Sequence, residues 1–344
     1  MNKRVLIVAE MSANHNGDKE VALETVRAAK RAGADAIKIQ TYTADTITLD
    51  CDKEDFQIRQ GTLWDGQTLY NLYQQAYTPW EWHKDIFDEA ERLGLLCFST
   101  PFDFLAVDFL EILGNPIYKI ASFEITDIPL IEYAASKGKP MVISIGIATE
   151  EDINLAVEAC RRVGNNDITL LKCTSSYPAP IEEANMCMLK DIAERFGVKV
   201  GLSDHTIGAI CPIVATTMGA TLIEKHFILD RSIGGPDAAF SMNEAEFTDM
   251  VKMIRDVEKC IGIVDYSLSE KQIANRIFAR SLYVAKDIKK GDIITTENVR
   301  SVRPSLGLHP KYYNDILGKR VNQDLHKGDR MSFLFVKDKK NEKY

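Results

Sequence analysis

The sequence predicts an α/β protein, a (β/α)8 barrel of the TIM type followed by a small β-rich domain. Three observations carry that expectation. Eight short β-branched or apolar runs recur, mostly separated by stretches with apolar residues at three- and four-residue spacing. Each run ends in residues able to bind or react. Past residue 280 the composition changes and a turn motif repeats. Eight strand–helix units in about 260 residues are what such a barrel requires. A doubly wound open sheet also alternates strands and helices, but no GxGxxG follows the first run.

The eight runs are Val5–Ala9, Ala36–Ile39, Leu95–Phe98, Ile117–Ile120, Met141–Ile143, Ile168–Leu171, Val198–Leu202 and Thr221–Ile223. Helices are predicted over Glu20–Ala32, Trp80–Leu93, Glu150–Val163, Asn185–Phe196 and Met242–Ile261. Gly33, Gly94, Gly138 and Gly164 stand where helix C-caps belong. In these barrels the functional groups sit at the carboxyl ends of strands. Glu10 follows the first run, and Lys38 and Gln40 end the second. Ser99-Thr100-Pro101-Phe102 ends the third. Lys119, Ser122 and Glu124 end the fourth, and Ser144 the fifth. Cys173-Thr174-Ser175-Ser176-Tyr177 ends the sixth, and His205 and His226 end the seventh and eighth. Gly234-Gly235-Pro236-Asp237 follows the eighth run, which puts Asp237 on the same rim.

Tyr42–Thr78 exceeds an ordinary strand–helix connection and reads as a lid or binding loop. Thr78-Pro79 reads as an N-cap with proline at the first helical position. Trp64, Tyr70, Tyr73, Trp80 and Trp82 either stack on a sugar ring or pack the lid onto the barrel. His83 reads as a surface helix residue.

With 344 residues and 45% hydrophobic content, the chain can bury a large core. Its net charge of -8 excludes a global basic footprint for nucleic acid. The lysine-rich end, Lys337–Lys343, reads as a solvated tail. No apolar run approaches the roughly 18 residues of a membrane span, and no signal-peptide pattern stands at the start. Seven cysteines without CxxC spacing fit reduced thiols in a cytoplasmic protein. The expected organisation is a catalytic barrel at 1–262, a linker at 263–279 and a second domain at 280–344. In that domain Asp287-Ile288-Lys289-Lys290-Gly291-Asp292 is echoed by Asp324-Leu325-His326-Lys327-Gly328-Asp329, two tight turns between short strands. Arg303 lies between them.

A strand, a helix and a strand place His205 and His226 on neighbouring parallel strands, at the same end of a sheet. Two imidazoles so placed can share a divalent metal, with Mn²⁺, Mg²⁺ and Zn²⁺ all compatible. Lys38 and Lys119, with hydroxyls from Thr100, Ser122, Ser144, Ser175 and Ser203, make a cradle for phosphate or carboxylate. A Schiff-base lysine is the rival use of either amine. Glu10, Glu124 and Asp237 are candidates for moving protons or accepting hydrogen bonds from sugar hydroxyls. Together these residues describe a barrel that binds an anion, a metal and a polar second substrate.

Several motifs then resemble a known family. Ala9-Glu10 with Asn14-His15-Asn16-Gly17, Lys38-Ile39-Gln40-Thr41, Ser99-Thr100-Pro101-Phe102, Tyr118-Lys119-Ile120-Ala121-Ser122, Leu202-Ser203-Asp204-His205-Thr206 and Glu224-Lys225-His226-Phe227 are similar to the sialic acid (nonulosonic acid) synthases. The match is collinear, and the C-terminal part looks like their SAF (antifreeze-like) domain. The resemblance implies condensation of phosphoenolpyruvate with an open-chain amino sugar, by C–O cleavage and with release of phosphate. It implies Mn²⁺ on His205 and His226, with Mg²⁺ or Co²⁺ as alternatives. Lys38, Thr100, Lys119, Ser122, Ser144, Ser175 and Ser203 would hold phosphoenolpyruvate, and Glu10 would handle the proton. Gln40, Glu124, Tyr177 and Asp237 would contact the sugar. Arg303 would reach in from the partner in a domain-swapped homodimer. Ser175 departs from the family pattern, which commonly has asparagine there. The Leu63-Trp64-Asp65-Gly66 to Trp82 stretch resembles the pseudaminic acid branch, which implies 2,4-diacetamido-2,4,6-trideoxy-L-altrose as the sugar. N-acetylmannosamine and the legionaminic acid precursor are the alternative sugars. The readings outside this family are a metal-dependent hydrolase, a Lys119 aldolase and a non-catalytic carbohydrate-binding protein.

Overall fold

The computed structural model describes residues 4–59, 61 and 64–337. Leu63 of the lid motif, and all of the lysine-rich tail except Lys337, lie outside the described residues. Eight parallel strands close into a barrel. They are β1 Leu6–Glu10, β2 Ala36–Thr41, β3 Leu96–Pro101, β4 Tyr118–Ile120, β5 Met141–Ser144, β6 Ile168–Cys173, β7 Lys199–Asp204 and β8 Leu222–His226. Each predicted run forms its strand. Most strands extend one to three residues further, so that β1 takes in Glu10 and β8 takes in His226. Helix starts are set by side-chain caps. Asp18, Asp103, Asp127, Thr149 and Asn243 each accept a hydrogen bond from a first-turn backbone N–H. The helix predicted from Asn185 begins at Met188, and that predicted from Met242 begins at Glu244.

Side chains alternate faces along a strand, and here the two faces do different work. Outward residues such as Ile7, Ile37, Ile39, Ile143 and Ile223 pack with the helices into the main core. Inward, Val8, Ala36, Phe98, Val142, Leu171 and Leu222 form a separate apolar plug. Two residues further along the same strands the inward positions turn polar: Glu10, Lys38, Thr100, Ser144, Cys173 and Glu224. The plug is therefore the floor of a polar chamber.

Two loops are latched at the rim. Asn14 Nδ2 donates to Phe227 O and Ser241 Oγ, both at 2.9 Å. Asn16, in the left-handed region at φ 48°, donates to Gly234 O at 2.8 Å. The Asn14–Gly17 motif thus ties the loop after β1 to the loop after β8.

The insertion after β2 carries helices Ala44–Ile47 and Leu69–Ala76, and its two ends are clasped. Trp80 Nε1 donates to Tyr42 O at 3.1 Å. His83 Nε2 lies 2.8 Å from Thr41 Oγ1. His83 is therefore fully buried and not a surface residue. It shares the buried stripe of its helix with Ile86 and Ala90. The expected Thr78 cap is also corrected. The helix runs Trp80–Arg92 with Pro79 at its N-cap position, because Thr78 Oγ1 pairs with His15 Nε2 at 3.1 Å. The aromatic residues pack the insertion down. Trp80 stacks on Phe109, Trp82 meets His15 edge-on and Tyr73 meets Tyr42 edge-on.

The chain divides into two compact units, Met1–Gly262 and Ile263–Tyr344. The second unit holds an antiparallel pair, β9 Ser281–Val284 and β10 Val299–Val302. Its separate core includes Leu282, Ile288, Val299, Val321 and Leu325. Its stretch 263–279 contains a short helix, Glu270–Asn275, opened by a Ser269–Gln272 capping box. The repeated turns cap one another: Asp324 accepts from Lys290 N and Asp287 from Lys327 N, both at 2.8 Å. Within each turn the last aspartate accepts from its own loop, Asp292 from Lys289 N and Asp329 from His326 N. The motif repeats because each copy completes the other.

Gly201 on β7 tests how tightly the barrel is filled. A Cβ there would lie 2.5 Å from Leu222 O and 2.6 Å from Leu171 Cδ2. Gly201→Ala is expected to destabilise the barrel by ~1–3 kcal/mol through overpacking. Urea unfolding of the variant beside wild type measures it, and an unchanged midpoint would contradict this packing.

Candidate active site

The chamber above the plug is built around two lysines and two carboxylates. Lys38 Nζ lies 2.6 Å from Glu10 Oε2 and 3.7 Å from Glu224 Oε1, and it donates to Thr100 Oγ1 at 3.3 Å. Lys119 Nζ lies 3.9 Å from the same Glu224 oxygen and donates to Ile120 O at 3.0 Å. Ser203 Oγ donates to Glu224 Oε1 at 3.0 Å. All four charged residues are 4% exposed or less, so each depends on the others for compensation. Burial pushes the Lys119 ammonium below the ordinary lysine range, and Glu224 pulls against it. Burial presses on Lys38 in the same way, but Glu10 and Glu224 together hold it above its ordinary value. Glu224 resists its own burial because Lys119 and Lys38 flank it, and it stays below the usual carboxylate range. Burial raises the Glu10 carboxyl, with Lys38 opposing.

One wall of the chamber is lined with hydroxyls. Gly146 N donates to Ser122 Oγ at 3.1 Å. A Cβ at Gly146 would collide with Ser175 Oγ and would stand 2.8 Å from Ser122 Oγ and 3.0 Å from Cys173 Sγ. Glycine alone lets these groups converge. Ser144 Oγ is buried without a hydrogen-bond partner, ready for an incoming acceptor. Ser175 belongs to this cluster.

The two histidines stand at the ends of β7 and β8 with ring centroids 5.3 Å apart. His205 Nδ1 lies 3.0 Å from Thr174 O. A carbonyl can only accept, so Nδ1 carries a proton, which leaves Nε2 as the nitrogen that would face a metal. His226 Nδ1 is buried with no hydrogen-bond partner, 3.8 Å from Asp237 Oδ2. Burial, with His205 and the lysines nearby, holds His226 far below the ordinary imidazole range and keeps it neutral. Among the described residues no group of three or more histidine, cysteine, aspartate or glutamate side chains forms a complete cage. The residues present fit a divalent ion held by two imidazoles, with its other positions left to water and substrate oxygens.

The remaining sequence-predicted residues surround this pair. Gln40 Nε2 donates to Glu10 Oε1 at 3.0 Å and to Ser12 Oγ at 3.1 Å. Asp237 Oδ2 accepts from Ala13 N at 3.4 Å. The Glu124 carboxyl is largely buried, which raises it to about 7 against the pull of Lys119. Tyr177 lies 4.4 Å from His205 between ring centroids, and Trp64 of the insertion packs on Tyr177 at 5.8 Å. Phe240 completes this aromatic wall, 5.0 Å from His226. Arg303 belongs to the second unit, where it is exposed just after β10. Glu224, Gly146 and Phe240 escaped the sequence reading. Glu224 lies two residues before His226 on β8, so strand alternation was the signal that could have found it, whereas Gly146 lies in the turn after β5, where alternation does not apply.

Comparison with known proteins places this arrangement. The NeuB family profile matches residues 25–266, and the SAF domain profile matches residues 279–329. The chain is 50% identical over 330 residues to a pseudaminic acid synthase from Campylobacter jejuni subsp. jejuni serotype O:23/36, covering 96% of each chain. It is 52% identical over 320 residues to a pseudaminic acid synthase from Helicobacter pylori, covering 93% of this chain and 94% of the other. Identity to an N,N'-diacetyllegionaminic acid synthase from Legionella pneumophila is 36%, covering 94% and 92%. The chain belongs to the NeuB family, with a SAF domain following its barrel.

Proposed function

We propose that this chain is a pseudaminic acid synthase, condensing phosphoenolpyruvate and water with 2,4-diacetamido-2,4,6-trideoxy-L-altrose to release phosphate. One observation carries the reading. Identity stays near half along nearly the whole of both chains with synthases of that name, and falls to 36% with the legionaminic acid synthase.

The chamber supports the chemistry. Lys38 and Lys119 neutralise a multiply charged phosphoenolpyruvate, and Thr100, Ser122, Ser144, Ser175 and Ser203 donate to its oxygens. Gln40, Glu124, Tyr177 and Asp237 orient the sugar against the aromatic wall. The enol carbon forms the new C–C bond at the aldehyde carbon. Water then adds at the adjacent oxocarbenium carbon, and the bond from that carbon to the phosphate oxygen breaks. Glu10, held by Gln40 through one oxygen and by Lys38 through the other, moves the proton. His205 and His226 would hold a divalent ion, Mn²⁺ with Mg²⁺ or Co²⁺ as substitutes, which when bound would supply Lewis-acid polarisation of the aldehyde.

Phe123, Ile147, Ile207 and Ile233 are exposed in the connections after β4, β5, β7 and β8, and Ile210 is exposed at the start of the helix after β7. An apolar fringe of this kind around a polar mouth favours a cover. A domain-swapped homodimer, with the partner's second unit bringing Arg303 to the chamber, is part of this proposal. So is a cytoplasmic setting, supported by seven free cysteines. Among the described residues no helix is long and apolar enough to cross a membrane.

The decisive assay incubates the protein with Mn²⁺, phosphoenolpyruvate and each candidate sugar, and follows phosphate release. Release is expected with the altrose derivative in preference to N-acetylmannosamine and the legionaminic acid precursor, and EDTA should abolish it. No phosphate with any sugar would sink the proposal.

Glu124 gives a second prediction, in the protein without substrate. Its carboxyl is raised from 4.5 to about 7 by burial. Folding therefore favours the protonated form. The associated stability is fully present below the unfolded value and is lost as pH rises through 7. Glu124→Gln removes this loss. Its stability relative to wild type should improve by up to ~3 kcal/mol between pH 4 and pH 8, read from urea midpoints. A constant difference across that range would contradict the buried-carboxyl reading.

A further inference from the structure

We propose that Asp204, Lys225 and Thr206 form a clamp on the outer face of the barrel that sets the positions of His205 and His226. They are positioning residues, and the inference rests on the reading of the two histidines as metal ligands. β7 and β8 pair through Leu202↔Ile223, Ser203↔Glu224 and Asp204↔Lys225. The ladder between these two strands stops there, one residue short of each histidine. Its last pair is reinforced by side chains. Lys225 Nζ lies 2.5 Å from Asp204 Oδ2 and also donates to Thr206 O. Asp204 Oδ1 accepts from Thr206 N at 3.1 Å and from Thr206 Oγ1 at 2.9 Å. The residues on both sides of His205 are thereby bound to the residue before His226.

Alternation separates this clamp from the chemistry. Ser203 and Glu224 face the chamber, where they meet each other. Asp204 and Lys225, one residue along, face the opposite side of the sheet. They are 3% and 1% exposed. A fully buried ion pair is a poor source of stability, since apolar residues of similar volume often do as well or better in its place. What it supplies is a short, directed constraint. His226 is the ligand that needs one. Thr174 O orients His205, but no hydrogen bond reaches His226 Nδ1, so its ring is aimed by its backbone, which β1 holds on one side through Glu10↔His226 and Lys225 ties to β7 on the other. Groups behind a metal ligand typically change metal affinity by about 10–100-fold when removed.

The test uses the full-length protein and Mn²⁺ as the probe, titrated by calorimetry, with thermal melts alongside. The Asp204→Asn/Lys225→Met double variant removes both charges at nearly constant size. It is expected to melt close to wild type, to bind Mn²⁺ about tenfold or more weakly, and to lose kcat with little change in KM for phosphoenolpyruvate. Thr206→Val keeps the ion pair and removes the hydroxyl's bonds to both Asp204 oxygens together with its contact to Cys211. It is expected to weaken Mn²⁺ binding by a smaller factor at an unchanged melting temperature. A folded double variant that binds Mn²⁺ as wild type does overturns the clamp. If the double variant does not fold, undiminished Mn²⁺ binding by Thr206→Val overturns it instead. Wild-type protein that binds no Mn²⁺, or His226→Ala that still binds it fully, overturns the metal reading itself.

Discussion

Two ammonium groups and two carboxylates buried together on an apolar floor set the terms for the rest of the barrel. None of Lys38, Lys119, Glu10 and Glu224 has water enough to be stable alone. Each is tolerated because the others stand within ion-pair distance. On the function proposed above, an incoming anion would meet the two lysines here. A multiply charged ligand can displace carboxylates from lysines that are already desolvated and fixed, so little reorganisation remains at the moment of binding. The hydroxyl wall at Gly146 and the unpartnered Ser144 Oγ sit where such a ligand would find its donors.

Period-two alternation lets one short strand serve three purposes. On β8, Leu222 closes the floor, Glu224 balances the lysines and His226 faces its fellow imidazole. Lys225, between the last two, turns outward and holds the strand end to β7. The insertion after β2 follows a similar economy. Its ends are clasped by Trp80 and His83, and its Trp64 packs on Tyr177, which in turn meets His205. Most of the insertion's aromatic residues therefore hold it in place, and Trp64 is the one whose contact leads to the chamber wall.

The strand order, the helix stripes and the residues at strand ends could all be read along the chain, because periods of two and 3.6 are local properties. So could the nearness of His205 to His226 and of Lys38 to Lys119, since a parallel barrel sends every strand's carboxyl end to one rim. Partnerships could not be read that way. His83 looked solvated because it stands among charged residues, yet it falls on its helix's inner stripe and meets Thr41 across 42 positions. Gly146 carries no local pattern that marks it, and only the fold brings Ser122, Ser175 and Cys173 together against it. Glu224 and the Asp204–Lys225 pair depend on strand register, which places residues 21 positions apart side by side. A linear pattern says which face a residue takes. The charge opposite it is decided by the closing of the barrel, and burial then sets how strongly the two are bound.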